Sequence, residues 1–258
     1  MPPVPWVKTV ILIGLVYVVS LLVLLLLGKK RIELVAPAVG LVGIAFHLVV
    51  NRDQTFRQLG FRLAAPAAYL RAFLATVGIL LAVLVVGYAS GRLRLRQETD
   101  GRTYARLILS VLLQTLQNGV VAIVTEELVF RGLVQRQLAQ SISPAAAILI
   151  ASATFGVWHA PLGGVSLGLN RRQVVLYGLG TGLAGAVFGT FFHASQSLLV
   201  AGFTHGLWNG IVYPVWGLGD AFPSLLASEG ETLTHPEYGV VGVVALALAV
   251  VLLLVLVV

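Results

Sequence analysis

The chain contains no cysteine, and charge is scarce in it. Without a thiol there is no disulfide, no thiolate metal site and no cysteine nucleophile. Charged residues make up 10% of the 258 positions, against roughly 25% in a soluble globular domain. That is too few to build a water-facing surface. Acids are scarcer still, with 10 Asp and Glu against 17 Lys and Arg. The zinc-protease string His-Glu-x-x-His is also missing. There is no alternating polar-apolar pattern of the kind a transmembrane β-barrel needs, and no long internal repeat or low-complexity linker.

What remains is apolar: 58% hydrophobic residues and a mean hydropathy of +0.96. Apolar runs fall at about 7–27, 34–50, 67–89, 104–125, 144–160, 173–193, 196–216 and 239–258. In hydrocarbon each run must satisfy its own backbone by becoming a helix, and about 20 residues suffice to span. The expected fold is therefore all-α, a polytopic transmembrane helical bundle of about eight spans, with 1–258 as one membrane domain. The run 34–50 is short and holds Pro37 and His47. Run 7–27 reads as a retained span, because Gly28-Lys29-Lys30-Arg31 follows it instead of a small-residue cleavage site.

The net charge of +7 does not point to nucleic acid. The basic residues gather between apolar runs, as at Lys29-Lys30-Arg31, Arg52/Arg57/Arg62 and Arg92/Arg94/Arg96/Arg102. That pattern suits loop anchoring and contact with membrane lipid. The loop 217–238 carries Asp220, Glu229, Glu231 and Glu237 without Lys or Arg, so charge leaves the orientation open. The expected location is a multi-pass protein of the cell (plasma) membrane. Glycines at 178, 182, 185 and 189 have the small-xxx-small spacing that lets membrane helices approach closely.

Against this background Glu126, Glu127 and Arg131 stand out, because ionisable groups at membrane depth are costly and usually functional. Residues four apart share a helix face, so Glu127 reaches Arg131. Glu126 lies about 100° further round and ends a polar stripe with Gln114 and Asn118. Glu127 is expected to be a structural clamp for Arg131. Glu126 is expected to be free in a poorly solvated cavity, where a carboxylate is a better base. Two more polar patches share helix faces: Phe155 with His159, and His205 with Asn209. Polar patches on separate membrane helices tend to turn inward together.

One glutamate, two histidines and an asparagine can hydrolyse a carbonyl compound in a water-poor site. Glutamate and histidine can deprotonate a water, directly or through a metal. Zinc, if used, would be held by Glu126, His159 and His205. Asn209 can donate to a developing oxyanion. Ser152 and Ser166 have no obvious base beside them.

Glu126-Glu127-xxx-Arg131, Phe155-xxx-His159 and His205-xxx-Asn209, in that order on apolar helices, resemble the motifs of the CPBP (Abi) intramembrane protease family. That family groups Rce1-type CAAX prenyl endopeptidases with bacteriocin-processing and immunity proteins. The similar region runs from about 110 to 216. The resemblance implies a hydrolase, often labelled a metalloprotease, with a protein or peptide substrate at the membrane. It implies that Glu126 and His159 activate water while His205 and Asn209 stabilise the oxyanion or help hold the site. Glu127, Arg131 and Phe155 would support them. Two alternatives are a non-catalytic partner-binding or immunity protein of the same fold, and an ion-coupled carrier. Against the carrier, no repeated halves with paired broken helices are visible.

Overall fold

The computed structural model describes residues 5–96, 101–218, 224–229 and 231–258. Asp220 and the side chains of Lys29, Lys30, Arg102 and Glu231 lie outside the described set.

Long helices dominate. They are α1 (Pro5–Leu27), α2 (Val35–Val50), α4 (Pro66–Ala89), α5 (Gly101–Ala122), α7 (Pro144–Ser166), α8 (Arg171–Ser195), α9 (Leu198–Trp216) and α11 (Val240–Val257). Short helices α3 (Phe56–Leu59), α6 (Arg136–Leu138) and α10 (Glu231–Thr234) connect them. Six described helical stretches are long and apolar enough to cross a membrane, one of them the continuous Tyr104–Leu138. The other two expected spans are present as helices but weaker. α2 has 16 residues, and the 19-residue α9 carries the polar His205 and Asn209. The architecture is the expected all-α polytopic bundle.

Local chemistry sets the helix ends. Ser143 caps α7 by accepting from the Ala146 N–H, with Pro144 at the first position. Asn170 and Gln173 form a reciprocal capping box at α8. α8 stops at Gln196, whose φ of 53° is left-handed. Ser197 caps α9 one residue later. So short a link makes α8 and α9 antiparallel neighbours. At the other end of the bundle a small antiparallel pair, β1 (Leu93–Leu95) and β2 (Leu226–Ser228), sets Arg94 opposite Ala227. Nothing in the sequence pattern announced it.

Helices α7 and α8, and helices α5 and α9, meet at backbone distance. Gly156 of α7 faces Gly178 and Gly182 of α8, and a Cβ at Gly156 would clash with the Gly178 carbonyl. Gly206 of α9 likewise sits on Gly119 and the Thr115 carbonyl of α5. The first seam uses glycines expected to pack closely. The second uses a spacing (Gly202, Gly206, Gly210) that was equally visible in the sequence.

Between α5 and α6, residues Ile123–Gln135 form a π-helix, whose bonds run to the fifth residue along. It is tucked into the bundle, with Leu128, Val129, Phe130, Leu133 and Val134 fully buried. The helix of the fourth span thus continues past residue 125, with a ladder that is not α-helical.

Candidate active site

The π-helix, α7 and α9 bring the polar residues together. Glu126, His159, His205 and Asn209 line one cavity of about 60 Å³, with Tyr177, Tyr213 and Glu237 also in its wall. That is room for a few water molecules.

Glu127 and Arg131 are both fully buried, and Arg131 Nε lies 3.2 Å from Glu127 Oε2. Arg131 also donates from Nη2 to the Gly185 carbonyl at 2.9 Å and lies 4.6 Å over the Phe155 ring. One step on, Gln135 donates to the Gly189 carbonyl at 2.9 Å. Gly185 and Gly189 therefore make room for the side chains of the π-helix, because a Cβ at either would press on Arg131 or Gln135.

Glu127 does more than clamp arginine. Its Oε1 accepts from His205 Nδ1 at 2.8 Å. Sequence spacing could not show this, because the partners lie 78 residues apart. The bond fixes the ring so that Nε2 faces Glu126, 3.9 Å from Oε2. Phe188 stacks on the same ring at 4.7 Å. His159 is set in the same way by its own helix. Its Nδ1–H donates to the Phe155 carbonyl at 3.0 Å, which leaves Nε2 an acceptor 3.7 Å from Glu126 Oε2. Phe155 packs against this ring at 4.2 Å.

Glu126 Oε2 is thus flanked by two imidazole nitrogens, and it has no hydrogen-bond partner of its own. Gaps of 3.7 and 3.9 Å are too long for direct hydrogen bonds. They suit a water shared between the atoms. Tetrahedral zinc, with bonds of about 2.0–2.1 Å, would draw its ligand atoms to about 3.3–3.4 Å from one another. Among the described residues no group of three or more His, Cys, Asp or Glu is set to hold a metal ion.

The polar stripe behind Glu126 does not join the cavity. Asn118 donates to the Gln114 carbonyl at 2.8 Å and Gln114 to Ser110 at 3.0 Å. Both are satisfied within α5, so their presence needs no inward-facing site. The string Gly164-Val165-Ser166-Leu167-Gly168 has the spelling of a serine nucleophile turn. No strand leads into it: it lies at the end of α7, and Ser166 donates to the Leu162 carbonyl at 2.6 Å.

Sequence reasoning passed over Glu237. It is buried, with Oε1 accepting from Trp208 Nε1 at 2.9 Å and Oε2 unpartnered. Its backbone N–H donates to His235 Nδ1 at 3.1 Å, and His235 Nε2 donates to the Gly217 carbonyl at 2.7 Å. Burial pushes the Glu237 carboxyl up to about 7 and holds the His235 imidazole down at about 3. The carbonyl of Glu237 passes so close to α8 that only glycine fits at position 180.

A carboxylate and two oriented imidazoles surround a water-sized gap inside a bundle of apolar helices, an arrangement able to position and deprotonate a water. Residues 108–211 match the model of the type II CAAX prenyl endopeptidase Rce1-like family. That span contains all three motifs, and over it the chain is similar to this family. No curated protein matches the chain significantly, and no solved structure does.

Proposed function

We propose that the protein is an endopeptidase that cleaves a peptide bond of a protein or peptide substrate at the membrane, using a water activated by Glu126 and His159. The observation that carries the reading is the orphaned Glu126 Oε2 facing His159 Nε2 at 3.7 Å and His205 Nε2 at 3.9 Å.

Glu126 and the His159 lone pair are both acceptors, so together they take the two protons of one water. The water's lone pair is then aimed at the substrate carbonyl. As the oxygen attacks, one proton moves to Glu126. Negative charge develops on the carbonyl oxygen, and the Asn209 amide can donate to it. His205 joins as a donor when its ring is protonated. Its Nδ1–H is held by the Glu127 carboxylate, and the second N–H, on Nε2, faces the cavity. Glu237 supplies a further acid on the same cavity. As the C–N electron pair moves to nitrogen, its carboxyl proton passes to the departing amine. Cavity water then returns the Glu126 proton to Glu237, restoring both groups. No step needs a metal.

The test is Glu126→Gln, which keeps size and polarity but removes the base. Purified protein in detergent is incubated with a peptide library and the products read by mass spectrometry. Wild type should yield cleaved peptides and Glu126→Gln none. Equal cleavage by both would overturn the mechanism. A cellular phenotype retained by an inactive Glu126→Gln would favour the non-catalytic, partner-binding reading.

A further inference from the structure

Away from the site, the end of the bundle where α4 begins and α8 and α11 end holds an open cavity of about 740 Å³. Arg57, Arg62 and Arg71 line it, among apolar residues that include Phe191 and Val257. A second cavity of about 240 Å³ shares Arg57 and Arg62 and adds Arg136. No carboxylate lines either one. Arg62 is anchored, donating from Nε to the Gln196 carbonyl at 2.9 Å and from Nη2 to the Ser195 carbonyl at 3.3 Å. Those neutral acceptors leave its charge uncompensated. Three guanidinium groups on one rim, with Arg136 on the adjoining cavity and no acid among them, make a surface that favours an anion.

One helical turn further along the same two helices lies another cavity. Arg71 is followed on its face of α4 by Leu74, Ala75 and Gly78, and Val257 is preceded on α11 by Leu253. These residues open a third cavity, about 640 Å³ between α4 and α11, in which every lining residue is apolar. From Leu74 to Val86 it extends about 18 Å at the helical rise, somewhat more than the ~15 Å depth of one hydrocarbon leaflet. A cationic rim leading into an apolar trough of leaflet depth is complementary to one kind of molecule, a lipid with a negative headgroup.

We infer that the rim of Arg57, Arg62 and Arg71 and the α4–α11 trough form a binding site for a single anionic phospholipid. The phosphate sits among the guanidinium groups, which grip phosphate oxygens bidentately. One acyl chain lies along the trough. The site is separate from the Glu126 cavity and independent of its chemistry.

The test uses purified full-length protein in detergent, with phosphatidylglycerol, phosphatidylcholine or inorganic phosphate added. Retained lipid is read by native mass spectrometry and stabilisation by thermal shift. Wild type should retain one phosphatidylglycerol in preference to phosphatidylcholine. Each of Arg62→Gln and Arg71→Gln should weaken that retention about fivefold. Gly78→Phe should weaken binding of both lipids. A Cβ at Gly78 meets nothing within 4 Å, so the new ring fills the trough without disturbing the helix. If an arginine variant fails to fold, Arg57→Gln on the exposed α3 and Gly78→Phe decide the matter. Equal retention of the two lipids, or retention unchanged in the variants, overturns the site. A shift reproduced by inorganic phosphate and indifferent to Gly78→Phe overturns the lipid as its occupant.

Discussion

Glu127 has two partners, and they can be separated by experiment. The Glu127→Gln variant leaves Arg131 as a buried positive charge whose remaining contacts are the Gly185 carbonyl and the aromatic rings of Phe155 and Phe188. Removing one member of a fully buried pair costs about 3–5 kcal/mol. Arg131→Met should cost a similar amount, since it strands Glu127 with only His205. The double variant Glu127→Gln/Arg131→Met removes both charges. It should lie within ~2 kcal/mol of wild type, where additivity of the single changes would give a loss of roughly 6–10 kcal/mol. Its activity should not return in step. The introduced amide oxygen can still accept from His205 Nδ1, but it carries no charge to stabilise a protonated ring. Losing His205 as an oxyanion donor costs about 10²–10³ in kcat. Stability is measured by reversible unfolding in mixed micelles and activity by cleavage of a quenched fluorescent peptide. Wild-type stability of Glu127→Gln would refute the buried-pair argument. Full activity in the double variant would refute the role given to the Glu127–His205 bond.

Other expectations follow from the same geometry. Chelators should leave peptide cleavage unchanged, and added zinc should not raise it; a loss reversed by zinc would show that the site closes around a metal. Stability should be flat between about pH 4.5 and 6.5 and fall on either side, because the loop before α11 holds two oppositely shifted groups. Glu237, raised to about 7, contributes stability that is complete below 4.5 and lost as pH rises through 7. His235, lowered to about 3, contributes stability that is present above 6.5 and lost as pH falls through 3. Glu237→Gln should therefore unfold less readily than wild type at pH 8, by about 3 kcal/mol, and thermal unfolding at pH 5 and pH 8 checks this. Gly156→Leu should push α7 from α8, costing at least 1–3 kcal/mol as overpacking and lowering activity through His159. Wild-type melting of that variant would mean that the seam is not tight.

Much of the architecture was legible because the bilayer allows few choices. Each long apolar run had to be a helix, and the pairing of Glu127 with Arg131 followed from spacing alone. The failures have a common cause. Gln114 and Asn118 look like an inward stripe until their bonds to α5 itself are seen. Glu237 looks like one of several loop acids. Its burial depends on Trp208 and Gly180, residues 29 and 57 positions earlier in the chain. The bond from Glu127 to His205 and the π-helical ladder are likewise set by what packs around them, and no local pattern encodes either.

The π-helix also constrains how this site can change over evolutionary time. Glu126 and Glu127 are placed from its beginning, while Arg131 and Gln135 are moored to α8 at Gly185 and Gly189. Deleting one residue between Glu127 and Arg131 would let the ladder relax to an ordinary α-helix. The spacing of the buried Glu127–Arg131 pair would then shorten from four residues to three. Substitutions at Leu128, Val129 or Phe130 act on local packing, whereas a change of length alters the spacing between the acids and the side chains moored on α8. Identity and length in this segment therefore bear on different contacts, the first on the core and the second on the register between the acids and α8.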